Sequence, residues 1–145
     1  MKLLLVDDSK PDVTILSRIF KNECDWEVFS VSDGEQALNY LYGLDGFAGA
    51  ERPDVVILDL NLPKQGGFKV LETMKEDDSL QSIPVVVLST SNNQKDINRA
   101  YDMQVSAYYV KETTLDGVRS FIRNFVNWWS AVTLPEMEKE DEWNT

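Results

Sequence analysis

The sequence predicts an α/β domain built on a doubly wound, five-stranded parallel sheet with helices on both faces. Three observations carry that expectation. Five short apolar runs alternate with stretches of helical periodicity, the pattern of buried parallel strands joined by crossover helices. A helix start signal follows each run closely. Charged residues gather where runs end, at Asp7, Asp8, Asp59 and Lys111, and open parallel sheets bind their ligands beyond the carboxyl ends of the strands.

The first run, Lys2 to Val6, stops at Asp7-Asp8, and Ser9 ahead of Pro11 opens the first helix. The second run, Glu27 to Val31, leads into the start signal Asp33-Gly34-Glu35. After the second helix, Gly43 to Pro53 is a glycine-rich connection longer than usual and reads as a surface loop without chemistry. The third run, Asp54 to Leu58, ends at Asp59, with Pro63 and Gly67 shaping the turn into a helix that begins near Gly67-Phe68. The fourth, Pro84 to Leu88, precedes Ser89 and the start signal Asn92-Asn93; the fifth, Ala107 to Val110, precedes Lys111 and the start signal Thr113-Thr114.

The last helix is more apolar than a surface helix needs to be. It carries Leu115, Val118, Phe121, Ile122, Phe125, Val126, Trp128, Trp129 and Val132, more than one stripe. At 3.6 residues per turn Phe121, Phe125, Trp128 and Trp129 cannot all face the sheet. They are expected to form a contact patch for a two-fold homodimer or for a docked partner. Residues 1–134 thus read as one domain, and residues 135–145, acidic and poor in aliphatics, as a mobile tail.

Composition narrows the function. The 145 residues suit one domain with a real core. A formal net charge of -11 without a basic cluster opposes contact with nucleic acid or an anionic membrane. Histidine is absent and Cys24 is the single cysteine, which excludes histidine acid-base chemistry, histidine-ligated metals and an intrachain disulfide. The apolar opening is cut short by Asp7-Asp8, so no secretion signal is expected, and the protein should be soluble and cytoplasmic.

A winding order of 2-1-3-4-5 makes the first and third strands neighbours, so that Asp7, Asp8 and Asp59 converge at the point where the winding reverses. Three close carboxylates repel unless a cation neutralises them, and an oxygen-only set suits a hard ion such as Mg²⁺. Lys111 adds a second positive charge. Metal and ammonium together would bracket a transferring phosphoryl group, with the Ser89 hydroxyl as a further donor and an aspartate as nucleophile. Taken singly, each of these residues has a structural reading as a cap, a turn residue or a solvated charge. Four elements at four strand ends make the joint pattern specific.

The stretches Leu4-Leu5-Val6-Asp7-Asp8-Ser9, Leu58-Asp59-Leu60-Asn61-Leu62-Pro63, Ile83 to Ser89 and Ala107-Tyr108-Tyr109-Val110-Lys111, together with Ser32 to Leu38, resemble a response-regulator receiver domain with its flavodoxin-like fold. The resemblance covers Met1 to about Val132. It implies that Asp59 accepts a phosphoryl group from the phosphohistidine of a sensor histidine kinase. It further implies Asp8 as direct Mg²⁺ ligand, Asp7 acting through water, the Asn61 backbone carbonyl as the remaining protein ligand, and Ser89 with Tyr108 as a conformational switch pair.

Three positions depart from the family pattern. Glu112 stands where proline is usual, which excludes the usual cis-proline bond there, Gly66 where an acid is common, and Thr90 where a small residue is usual. The long loop before Pro53, the run Val87 to Ser91 and the aromatic end before Pro135 look most like single-domain regulators that partner bacterial phytochromes. The chain ends before a DNA-binding fold would fit, so output by protein contact is expected. The competing reading is a Mg²⁺-dependent phosphatase with Asp59 as nucleophile, which would need a general acid that the residues around Asp59 do not supply.

Overall fold

A computed structural model describes residues 1–64 and 66–136. Strands and helices alternate along the chain: β1 (Lys2–Val6), α1 (Lys10–Glu23), β2 (Glu27–Val31), α2 (Gly34–Tyr42), β3 (Val55–Leu58), α3 (Gly66–Glu76), β4 (Val85–Ser89), α4 (Gln94–Asp102), β5 (Ala107–Val110) and α5 (Leu115–Ala131). The strands form one sheet in the order β2-β1-β3-β4-β5, with every pairing parallel. The doubly wound architecture expected from the alternation is the one observed.

Local chemistry explains the boundaries. Ser9, Asp33, Asn93 and Thr114 each cap a helix by accepting a backbone N–H with the side-chain oxygen, from Asp12, Gln36, Lys95 and Gly117 respectively. Asp54 lies just before β3, where its carboxylate accepts the Lys2 backbone N–H at 2.7 Å and its own N–H donates to the Lys2 carbonyl. Ser89, expected just past the fourth strand, is its last residue and pairs with Val110.

Alternate residues of each strand serve opposite faces of the sheet. Leu3, Leu5, Val55, Ile57, Val86 and Leu88 face α1 and α5, where they pack with Phe20, Trp26, Phe121, Ile122, Phe125 and Trp129. Leu4, Val6, Val56, Leu58, Val85 and Val87 face the other side and meet Val70, Leu71 and Met74 of α3, Ala37 of α2 and Ala100 of α4.

The contact patch expected on α5 is corrected here. Phe121, Phe125 and Trp129 are buried in the domain's own core, and only Trp128, 65% exposed, faces solvent. α5 packs against α1 as well as against the sheet, so it buries a wider arc than a single stripe. Phe125 meets Phe20, Trp26, Phe121 and Trp129 ring to ring. The acidic tail lies outside the described residues from position 137 onward. Among the described residues no helix is long and apolar enough to cross a membrane.

Candidate functional site

Sheet register places the site. Val6 is opposite Leu58, and the Asp59 backbone N–H donates to the Val6 carbonyl at 2.9 Å while the Asp7 N–H donates to that of Val31. The residues that follow β1 and β3 are therefore neighbours whatever their side chains. Here both are aspartates, almost fully buried at 2% and 5% exposure.

Gly67 keeps the turn after Asp59 tight. A Cβ at this position would sit 2.4 Å from the Asp59 carbonyl oxygen and 2.5 Å from the Leu60 Cα, so no other residue fits without displacing the backbone that carries Asp59. The Gly67 N–H donates to the Leu60 carbonyl at 3.0 Å, which holds the start of α3 beneath the site.

Lys111 enters from the end of β5. Its Nζ lies 2.8 Å from Asp7 Oδ2, 2.9 Å from Asp12 Oδ2 and 3.0 Å from Asp59 Oδ2. An ammonium has three donors, and each meets one carboxylate. Burial would lower the lysine pKa, but the hydrogen bonds that Lys111 donates to Asp7, Asp12 and Asp59 outweigh it and hold Lys111 charged to well above the usual lysine range. The Asp7 pKa is also raised above the ordinary aspartate range: burial outweighs the lowering influence of Lys111 and of the Ser9 backbone N–H.

The oxygens of Asp7, Asp8 and Asp59 can all lie within 4.8 Å of one another. Asp8 is exposed while the other two are buried, so the group is open to solvent on one side. An all-oxygen, net-negative set with an open side fits a hard divalent cation that keeps several waters. The donors present suit Mg²⁺ or a similar ion.

The remaining expected residues occupy a second tier. The Asn61 backbone N–H donates to Asp59 Oδ1 at 3.0 Å, and its side-chain amide makes long contacts to Ser89 Oγ at 3.5 Å and Thr90 Oγ1 at 3.4 Å. Ser89 is fully buried, and its hydroxyl also accepts the Ser91 N–H at 3.2 Å. Tyr108 does not reach the carboxylates; its hydroxyl donates to the Ser91 carbonyl at 2.8 Å. Ser91 thus links the Ser89 hydroxyl to the tyrosine through one residue of the β4–α4 loop. Glu112 follows Lys111 through a trans bond, as there is no cis peptide among the described residues. Its carboxylate stands close to Gly117 in the first turn of α5.

Reasoning from strand ends misses Asp12. It reaches Lys111 from the first turn of α1, and the available signal is its place three residues after the cap Ser9, where a carboxylate suits the helix dipole. That signal says nothing about what the side chain touches.

Comparison with known proteins bears on this geometry. Residues 3–123 match the response regulator receiver domain family. The chain is 36% identical over 135 residues to response regulator Rcp1 of Synechocystis, covering 92% of each chain. Among solved structures it is similar to the phosphorylated cyanobacterial phytochrome response regulator RcpA, with a TM-score of 0.88 and 40% identity over 93% of this chain and 98% of that one. It is also similar to the Mn²⁺-bound form of Rcp1, with a TM-score of 0.87 and 35% identity over 93% and 99% of the two chains. With sheet order, strand-end residues and relatives in agreement, the chain belongs to the response regulator receiver domain family of two-component signalling proteins.

Proposed function

We propose that Asp59 is the phosphoacceptor of a response regulator that takes its phosphoryl group from the phosphohistidine of a sensor histidine kinase. The observation that supports this most is the Lys111 ammonium 3.0 Å from the Asp59 carboxylate, beside an acid cluster that suits a divalent ion. An Asp59 oxygen forms the new P–O bond as the P–N bond of the donor breaks, and the electron pair leaves on the imidazole nitrogen. The nucleophile is a carboxylate, so no base in the chain is needed.

Bound Mg²⁺ would offset the negative charge of the carboxylates and of the transferring oxygens. Asp8 and Asp59 would be its direct side-chain ligands, with the Asn61 backbone carbonyl, and Asp7 would act through water. Lys111 would turn the donor it now gives to Asp59 onto a phosphoryl oxygen. Ser89 would supply a hydroxyl to another, and withdrawal of that hydroxyl from Ser91 would loosen the loop that holds Tyr108. Transmission through Ser89 and Tyr108 to a protein partner is the proposed output.

The likeness to phytochrome response regulators makes a phytochrome-type kinase in the cytoplasm the proposed partner. A homodimer contact through α5 would rest on Trp128. The phosphatase alternative gains no support, because position 61, two residues past Asp59, holds an amide whose backbone binds Asp59 rather than an acid.

Acetyl phosphate with Mg²⁺ tests the reading by intact mass. One phosphoryl group should appear on the native chain and none on Asp59→Asn or without the metal. Equal labelling of native and variant chains would refute it.

A further inference from the structure

We infer that Asp12 is a positioning residue that holds the Lys111 ammonium against the phosphoacceptor, an inference that rests on the proposed role of Asp59. Three carboxylates take the three donors of Lys111 at nearly equal distances, 2.8 to 3.0 Å. Two of them, Asp7 and Asp59, belong to the group whose oxygens can share a cation. Asp12 does not. When a cation draws on Asp7 and Asp59, or when Asp59 is esterified, Asp12 is the acceptor whose hold on the ammonium is unchanged.

Lys111 needs such a hold. It follows β5, an edge strand of the sheet, and its backbone N–H donates to the Ser89 carbonyl at 2.7 Å. The side chain itself is a flexible four-carbon stem that loses rotamer freedom when it is held in one geometry. Asp12 works from a firmer base: it lies in the first turn of α1, behind the cap Ser9, and α1 is anchored to the sheet by Leu16, Ile19 and Phe20. Its side chain is 42% exposed, against 2% for Asp7.

A carboxylate in the first turn would favour α1 in any orientation. The inference therefore stands on effects that pass through Lys111. Asp12→Ala should slow labelling of Asp59 by acetyl phosphate roughly five- to tenfold at saturating Mg²⁺, with the Mg²⁺ concentration at half-maximal rate changed by less than about twofold. Asp12→Asn, which keeps an oxygen acceptor without the charge, should retain most of the native rate. In a Lys111→Ala background, Asp12→Ala should have no further effect.

A second arm needs no phosphorylation. In the resting protein labelled with ¹⁵N, the Lys111 ammonium protons should be protected from exchange and visible by NMR, and Asp12→Ala should broaden them beyond detection. An unchanged ammonium signal in that variant overturns the inference, as does a labelling rate equal to native or an equal loss in the Ala and Asn variants. If the native chain fails to label at Asp59, the proposed function falls, and the ammonium signal still decides whether Asp12 positions Lys111.

Discussion

The two tyrosines of β5 point to opposite faces of the sheet, and the faces hold them differently. Tyr109 packs edge-on against Phe121 at 4.9 Å between ring centres, at the margin of a core in which Phe20, Trp26, Phe121 and Trp129 all meet Phe125. Tyr108 is held by a hydroxyl bond to a loop carbonyl and lies beside α4, a nine-residue helix whose buried residue is Ala100. The contrast predicts that the sheet edge at Tyr109 resists rearrangement and that the edge at Tyr108, beside α4, moves more cheaply. The α4 side is the one that Ser89 and Ser91 join to the site.

The largest expected effect sits on the firm face. Phe125 is 1% exposed, and Phe125→Ala should destabilise the protein by about 4 kcal/mol, read as a shift of the urea midpoint at constant slope. A loss below about 1 kcal/mol would mean that this face is no firmer than the other.

Next comes the pocket between the faces. Lys111→Met leaves two buried carboxylates without their cation and should cost about 3 kcal/mol at neutral pH in the absence of metal. The pH dependence has a definite sign. The Asp7 pKa is already raised by burial, so its folded form binds more protons than the unfolded chain, and its contribution is fully present below the ordinary aspartate range and lost as pH rises through the raised value. Removing Lys111 raises Asp7 further, so the deficit of the variant should shrink as pH falls toward about 4. A deficit that grows on acidification would contradict the charge arrangement described.

On the movable face, Tyr108→Phe removes one hydrogen bond and should cost about 1 kcal/mol. Asp59 should still be labelled at the native rate. Hydrogen exchange of the β4–α4 loop should become faster in the resting variant and change little when beryllofluoride is added, whereas exchange along α5 should not move in either protein. Equal changes in α4 and α5 would erase the distinction between the faces. The smallest effect belongs to Trp128→Glu, within about 0.5 kcal/mol of native, measured by thermal unfolding. If the variant also abolishes self-association seen by light scattering in the native chain, the contact proposed for α5 is located at Trp128.

How much of this was legible beforehand depends on what carries the position. Asp7, Asp59 and Lys111 each follow the last or nearly last apolar residue of a strand, and, given the order 2-1-3-4-5 that goes with the flavodoxin-like resemblance, parallel pairing fixes where they meet. Asp12 could not be reached that way, because a residue in a helix turn is placed by packing of the helix as a whole. The burial of the α5 aromatic residues escapes a stripe count for a related reason. Counting stripes against the sheet ignores α1, whose Phe20, with Trp26 just after the helix, provides a second wall for Phe125 and Trp129. Alternation puts Tyr108 and Tyr109 on opposite faces, and only the family resemblance singles out Tyr108; its bond to Ser91 depends on a loop whose path the sequence does not state.

The central claim is that the phosphoryl group resides on Asp59. Treating the native chain with acetyl phosphate and Mg²⁺, reducing the acyl phosphate with borohydride and sequencing the peptides by mass spectrometry should reveal homoserine at position 59 and at no other aspartate. Homoserine at Asp7, Asp8 or Asp12 with Asp59 unmodified would contradict the account.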